Sequence, residues 1–350
     1  MHALTVVPGH SHSLQLDTLD MPAAQPQQLL VRALALGICG TDREIVGGTY
    51  GWAPPNSTRL VIGHESLGRV EVAPVGSGFE RGDLVVGIVR HPDPDPVPCA
   101  NCAIGEFDMC RNGEYTEHGI KGRNGFGCEW FTLDAQRAVK IPPSLGLCGV
   151  LLEPTSIVAK AWEQVDRIAQ RSAVPLKNAL IVGAGPVGLL AALHSVQRGL
   201  ETHVVDIVVD GIKPQLVAEL GAHYHAVAIE TIGIAFDVVI ECTGIGKVIL
   251  AATEALASGG ILCSTGLSSG GRSVPLNLTE INRNLVLENE VIFGSVNANR
   301  RHYEMAVRTL ALANSDWLEK LITRRVPLHQ WEDAFVPRAT DVKTIIEFSS

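Results

Sequence analysis

The chain has no excess of positive charge: 28 lysines and arginines stand against 37 aspartates and glutamates, a formal net charge of −9 over 350 residues. A nucleic-acid partner requires a basic surface that displaces counterions from phosphates, so none is expected. Nor is there an uninterrupted apolar run of the ~18 residues that a membrane span needs. The greasiest stretch, 179–193, is broken by three glycines and Pro186, and no membrane partner is expected. The opening MHALTVVPGHSHSLQ has no basic start followed by an apolar block, so it does not read as a secretory signal. Eight cysteines without such a signal suggest a reducing compartment, where thiols bind metals or do chemistry more often than they pair. A cytoplasmic location follows as the expectation. No internal repeat of solenoid length is visible.

What is present is globular. Hydrophobic residues make up 46% and charged residues 19%, which excludes a disordered chain, and the length fits two domains. The first half holds short β-type runs, LLVRALALGIC (29–39), SLGRVEVAPVG (66–76) and DLVVGIV (83–89), separated by Gly, Pro and Asp clusters. That texture predicts a mostly antiparallel body. HPDPDPVP (91–98) can be neither helix nor central strand and reads as a surface excursion.

From about residue 151 apolar strand-like segments alternate with helical ones: ALIVGAG (179–185), VGLLAALHSVQRG (187–199), THVVDIV (202–208), QLVAELGA (215–222), FDVVIECTG (236–244), VILAATEALASGG (248–260), ILCSTG (261–266) and VIFGSVN (291–297). Alternation with wholly apolar strands predicts a doubly wound parallel sheet covered on both faces, giving an α/β fold class overall. HYEMAVRTLALANS (302–315) predicts a late helix. KTIIEF (343–348) has no neighbour of its own kind and is expected to return to the first domain. The expected division is 1–155, a catalytic domain, 156–298, a dinucleotide-binding domain, and 299–350, a return to the first. A homodimer or homotetramer is expected, with VIFGSV (291–296) either closing a sheet-to-sheet dimer or forming a core strand.

Gly183-Ala-Gly185-Pro186-Val187-Gly188 follows a strand and opens a helix. The first glycine allows the tight turn, the second lets a pyrophosphate approach the backbone, and the third lets helix pack on strand. The helix start offers N–H groups and the positive end of the macrodipole. Asp206, at the end of the next strand, would accept from the adenosine ribose hydroxyls and repel a 2′-phosphate, and the following IVVDGIKP (207–214) offers no arginine to neutralise one. NAD is therefore expected as cofactor. Lys213 is the residue that could still reach a phosphate, which leaves NADP open.

Cys39 and Thr41 sit two residues apart in GICGTD (37–42), His64 and Glu65 follow in GHE (63–65), and Glu153 lies at the domain junction. Thiolate, imidazole and carboxylate are the donor set of catalytic zinc sites, which leave a position open for water or substrate.

With these motifs the chain resembles a zinc-dependent medium-chain dehydrogenase over essentially its whole length. Beyond GICGTD, GHE and GAGPVG, the likeness rests on GSGFERGDLV (76–85). CRNGEYTEHGIKGRNGF (110–126), LLEPTS (151–156) and GSVNANRRHY (294–303) direct it to the sugar-oxidising glucose dehydrogenases. The resemblance implies a GroES-like catalytic domain beside a Rossmann domain. It implies Cys39 and His64 as ligands of a catalytic Zn2+, with Glu65 or Glu153 as a third. It implies oxidation of an aldose at C1 to the lactone, with hydride passing to the nicotinamide; a polyol or other secondary alcohol is the alternative substrate. Thr41, beside a ligand, would pass the hydroxyl proton outward, although Glu44 stands where related alcohol dehydrogenases carry a relay histidine. Glu117 and Asn297 would contact a monosaccharide, with Thr41 and Glu153 also reaching it and His118 a further candidate in an exposed loop. The expected cofactor-binding residues are Gly183, Gly185, Pro186, Val187, Gly188, Asp206, Thr243 and Asn297.

Cys99, Cys102 and Cys110 lie where that family often carries a structural zinc on four cysteines, but Gly105 occupies the third position. Closed zinc sites take four ligands. Neither Cys128 nor Asp108 fits the spacing, so a second metal is not the expectation. Cys148, Cys242 and Cys263 read as small core fillers.

Overall fold

Inward and outward side chains alternate along most of residues 28–38, and in the computed structural model this segment is the Gln28–Ile38 strand around which the first unit is built. The structure describes residues 1–92, 97–268 and 274–348, so 93–96 of the Pro/Asp stretch lie outside the described residues. Two units emerge: Met1–Ser156 together with Asn297–Ser350, and Ile157–Val296.

In the first unit a seven-stranded sheet runs Ala138–Lys140, Leu84–Gly87, Glu65–Val72, Gln28–Ile38, Lys343–Glu347, Ile322–Pro327, with Trp130–Asp134 also paired to Gln28–Ile38. All its pairings are antiparallel except that of the last two strands. The segment 343–347 does return to this unit, placing Ile345 opposite Gly37, which on its other side faces Glu65. Leu29, Val31, Leu36, Val70, Val85, Phe126, Phe131 and Ile346 fill the core.

The second unit is a six-stranded parallel sheet in the order His223–His225, Glu201–Val205, Asn178–Val182, Phe236–Glu241, Leu256–Ser264, Val291–Gly294. In units of chain order this is 3-2-1-4-5-6, the doubly wound dinucleotide-binding arrangement, whose switch point lies between the first and fourth strands. Ala179 to Val182 are buried on both faces, as their unbroken apolarity predicts.

Two segments depart from expectation. The helix expected over 248–260 ends at Glu254, because Leu256 onward is recruited into the sheet by pairing with Phe236 and Val238 across a bulge. VIFGSV is no core strand: Val291–Gly294 forms the sheet edge, with Ile292 and Val296 exposed. Among the described residues one helical run, Pro143–Ala169, is long and apolar enough by composition to cross a membrane, but 78% of its most apolar 18-residue window is buried inside the protein, the situation of a core helix.

Buried histidines give the fold an acid sensitivity. His118 is not in an exposed loop: it belongs to the Thr116–His118 strand, packs tilted against Phe126 and edge-to-face with His91, and bonds the Asn124 carbonyl through Nδ1 at 2.7 Å. Burial pushes its pKa down to about 3. Between that value and the ordinary 6.5 the unfolded chain binds a proton that the folded chain refuses, so stability falls as pH is lowered through this window. From pH 7 to pH 5 the loss is about 2 kcal/mol at 1.36 kcal/mol per unit. Urea unfolding at both pH values should show a His118→Asn variant with a correspondingly smaller difference; an unchanged difference would place the sensitivity elsewhere.

Candidate active site

Cys39 follows the central Gln28–Ile38 strand and is the N-cap of the Gly40–Val46 helix, and its amide donates to Asp42 Oδ2 at 2.9 Å. His64 precedes the Glu65–Val72 strand. Its Nε2 lies 3.1 Å from Cys39 Sγ, and its Nδ1 lies 3.2 Å from Asp42 Oδ1. The carboxylate therefore fixes the ring from behind and leaves Nε2 facing the thiol, the usual support of a metal-ligating histidine. Burial opposes charge on His64, yet the Cys39 sulfur and Asp42 outweigh it and push its pKa well above 6.5. Burial alone would raise the Asp42 carboxyl, but His64 and the Cys39 amide hold it below its ordinary value. The two donors stand a few tenths of an ångström closer than the about 3.5 Å that tetrahedral Zn–S and Zn–N bonds would set. Thr41, half-buried on the same helix, has a hydroxyl without a hydrogen-bond partner among the described residues.

A Glu65 ligand atom lies within 4.8 Å of the Cys39 and His64 ligand atoms. Yet Glu65 is already engaged: Lys343 Nζ meets its two oxygens at 2.7 and 2.6 Å, both side chains fully buried. Lys343 reaches it across the central strand at Gly37, where a Cβ would collide with the Glu65 carboxylate. Glycine is required there to let the pair form. Glu153, at the start of the Leu152–Ala169 helix, is buried with no hydrogen bond to its carboxyl among the described residues. Burial pushes its pKa up to about 7, with Glu65 adding to the rise and His64 opposing it. Such a carboxyl is readily neutral when alone, and a cation beside it would hold it ionised. The donor chemistry of Cys39, His64 and Glu153 thus fits zinc, although it is a Glu65 oxygen, and not one of Glu153, that lies within 4.8 Å of both other donor atoms.

Glu117 and Asn297, 180 residues apart, are hydrogen-bonded to each other, Asn297 Nδ2 donating to Glu117 Oε1. The same oxygen accepts from Arg90 Nε at 3.0 Å and Nη2 at 2.9 Å. Arg90 also lies over the Tyr115 ring, 3.7 Å from its centroid. Glu117 Oε2 carries no hydrogen bond among the described residues and remains an acceptor. Asn297 takes the left-handed backbone at φ 64°. Nothing in the sequence marked Arg90, a lone basic residue after the apolar run 84–89.

In the second unit Gly183 adopts φ +97°, and a Cβ at Gly188 would overlap the Gly183 carbonyl oxygen, so helix and turn approach as closely as glycine permits. A Cβ at Gly185 would meet nothing within 4 Å, leaving open space at the start of the Pro186–Gln197 helix. Thr243 closes the neighbouring turn after Phe236–Glu241, its Cγ2 next to Gly183. Buried Glu241, which the sequence did not single out, accepts from Thr243 N at 2.6 Å and Gly244 N at 3.0 Å and shapes that turn. Asp206 follows Glu201–Val205 and accepts from Ala184 N at 2.7 Å and Val208 N at 3.0 Å, with Lys213 Nζ at 3.3 Å. These features fit a dinucleotide laid over the turn.

Cys99, Cys102 and Cys110 do come together, with all three sulfurs within 4.8 Å. Cys128 and Asp108 are not in that group: the Cys128 thiol faces the Gly125 and Trp130 carbonyls, and the Asp108 carboxylate accepts from Asn299. Burial pushes the Cys148 thiol up to about 11 and Cys242 up to about 12. Both are inert fillers rather than nucleophiles.

Residues 25–143 match the alcohol dehydrogenase GroES-like domain and residues 146–348 match the glucose dehydrogenase C-terminus. The chain is 38% identical to glucose 1-dehydrogenase 2 of Vulcanisaeta moutnovskia over 355 residues, 99% of each chain. It is 39% identical to the glucose 1-dehydrogenase of Thermoproteus tenax, again over 99% of each chain. Its fold superposes on the Haloferax mediterranei glucose dehydrogenase solved with NADP, Zn and gluconolactone with a TM-score of 0.91, at 30% identity and full coverage of both chains.

Proposed function

Because the chain belongs to the zinc-dependent medium-chain dehydrogenases, in their glucose dehydrogenase branch, we propose that it is an aldose 1-dehydrogenase that prefers NAD. It removes hydride from C1 of glucose or a similar monosaccharide and releases the aldonolactone, a reduced cofactor and a proton. The observation that carries this reading is the Arg90–Glu117–Asn297 constellation. A sugar hydroxyl leaving water must find a partner, and Glu117 Oε2 is a buried acceptor held ready for one.

Cys39, His64 and Glu153 would hold the metal, and Asp42 orients the imidazole. Bound zinc supplies a Lewis acid that favours loss of the substrate hydroxyl proton, as it brings bound water from a pKa of 15.7 to about 7. The Thr41 hydroxyl accepts that proton and passes it toward solvent. Glu65 takes no part as a ligand; its charge is spent on Lys343, which fixes the inner wall of the site. In the second unit the Gly183–Gly188 turn receives the pyrophosphate, Thr243 borders it, and Asp206 receives the ribose hydroxyls. An exposed sheet edge at Val291–Gly294 supports a dimer with a second copy, which light scattering would test.

One assay examines the whole reading: NADH absorbance with a panel of aldoses, polyols and simple alcohols, with and without a zinc chelator. Aldose turnover lost on chelation is expected; chelator-insensitive turnover, or polyols oxidised and aldoses not, would overturn it. Cofactor choice has its own test. Asp206→Ser should raise the Kd for NAD about tenfold, the loss of a charge-assisted hydrogen bond of about 1.5 kcal/mol or more, and leave NADP binding unchanged or tighter, since Lys213 is then released toward a phosphate. Equal losses for both cofactors would put Asp206 outside the ribose pocket.

A further inference from the structure

At the edge of the parallel sheet in the second unit, period-2 geometry gathers side chains that no part of the dehydrogenase chemistry uses. Glu201 and His203 lie two apart on the Glu201–Val205 strand and share a face; His223 and His225 do the same on the neighbouring His223–His225 strand. The two strands run parallel with His203 opposite His223 and Val205 opposite His225. Three imidazoles and a carboxylate therefore meet on one surface. His203 is the buried centre, its side chain 5% exposed, whereas Glu201 and His223 are open to solvent.

Around His203 the contacts are directional. Its Nδ1 lies 2.8 Å from His225 Nε2, and its Nε2 lies 3.3 Å from Glu201 Oε1. His223 Nε2 stands 4.0 Å from that same carboxylate oxygen. One donor atom each from Glu201, His203 and His223 fall within 4.8 Å of one another. When Nδ1 of His203 donates to His225, its Nε2 lone pair turns toward the Glu201 oxygen and His223 Nε2. Burial, together with the neighbouring His223, lowers the His203 pKa, and burial lowers that of His225.

From this juxtaposition we propose that Glu201, His203 and His223 form a second, surface-accessible site for a divalent transition-metal ion such as Zn2+ or Cu2+, with His225 orienting His203 from behind. Two imidazoles, one carboxylate and open positions suit such ions and not the oxygen-seeking Mg2+ or Ca2+. A hydrogen-bonded second partner on the buried histidine is what metal-ligating histidines ordinarily carry. The site would tie the edge strand to its neighbour, stabilising the folded chain by mass action.

The test uses the full-length enzyme carrying its catalytic metal. Wild type, His223→Ala and Glu201→Gln are each incubated with Zn2+, passed through a desalting column and analysed for metal by mass spectrometry. Both substituted side chains are exposed, so circular dichroism and aldose turnover should match wild type. Wild type is expected to retain one equivalent more than either variant, and Zn2+ should raise the wild-type Tm but not theirs. With Cu2+, the electron paramagnetic resonance spectrum of wild type should show imidazole nitrogen couplings that His223→Ala loses. Equal metal content in all three proteins would overturn the proposal and leave a hydrogen-bonded cluster in which His203 Nε2–H donates to Glu201.

Discussion

Cys39→Ser and His64→Ala should each lower aldose turnover by about 10³-fold or more. Either change removes a donor from the pair facing each other at 3.1 Å, and with it the Lewis acid. Such an acid stabilises developing charge by several kcal/mol, and about 4 kcal/mol corresponds to 10³ at 1.36 kcal/mol per decade. The loss should fall on turnover and metal content together. Cofactor binding should survive, because every residue proposed to hold the pyrophosphate and the ribose belongs to the second unit. Elemental analysis and NADH fluorescence titration separate the two effects. A variant that keeps near-wild-type turnover without stoichiometric zinc would end the metal-assisted account. Asp42→Asn should produce a milder form of the same defect, about 10–100-fold in metal affinity, the usual cost of removing a ligand's supporting partner.

Lys343→Met should be the most damaging single change to stability. It leaves the Glu65 carboxylate, 2% exposed, without its cation. Breaking a buried ion pair from one side costs about 3–5 kcal/mol. For a unit of this size that corresponds to a fall in Tm of roughly 6–20 °C, at 2–4 °C per kcal/mol. The double variant Glu65→Gln/Lys343→Met should recover most of the loss, since no charge is then stranded. Thermal denaturation of the two singles and the double measures the coupling directly. A Lys343→Met Tm within about 2 °C of wild type, below the 2–4 °C that even 1 kcal/mol would give, would mean that Glu65 finds another cation, and the assignment of Glu153 as third ligand would lose its main support.

What could be read from the sequence divides along a physical line. Features set by neighbours in the chain were legible: the alternation of 28–38, the apolar strands of the second unit, and the glycine spacing of 183–188, whose close approach to Gly183 the geometry requires. Features set by partners far along the chain were not. Lys343 and Arg90 each look like ordinary surface cations until strand pairing, in two different sheets, brings them to buried carboxylates 278 and 27 residues away. Glu241 shapes its turn from within a strand that reads as merely apolar. Asp42 could have been found, since its position three residues after Cys39 is the reciprocal spacing of a helix start. The exposed-loop reading of His118 failed because a three-residue strand carries too little periodicity to reveal that its end packs on Phe126. Glu117 and Asn297 were each singled out as sugar contacts through family resemblance, but their hydrogen bond to each other was not, since no local pattern links residues 180 apart.

The Lys343–Glu65 pair also sets an order of assembly. A ribosome making this chain releases Cys39, His64 and Glu65 early, then the whole nucleotide-binding insertion, and only afterwards the strand that bears the compensating lysine. Until that strand docks between Gln28–Ile38 and Ile322–Pro327, the central sheet lacks an inner member and a carboxylate destined for burial stays wet. Maturation of the catalytic centre is thereby postponed until the strand holding Lys343 has been made, and a nascent chain stalled before residue 343 should remain open to proteolysis however much zinc is supplied.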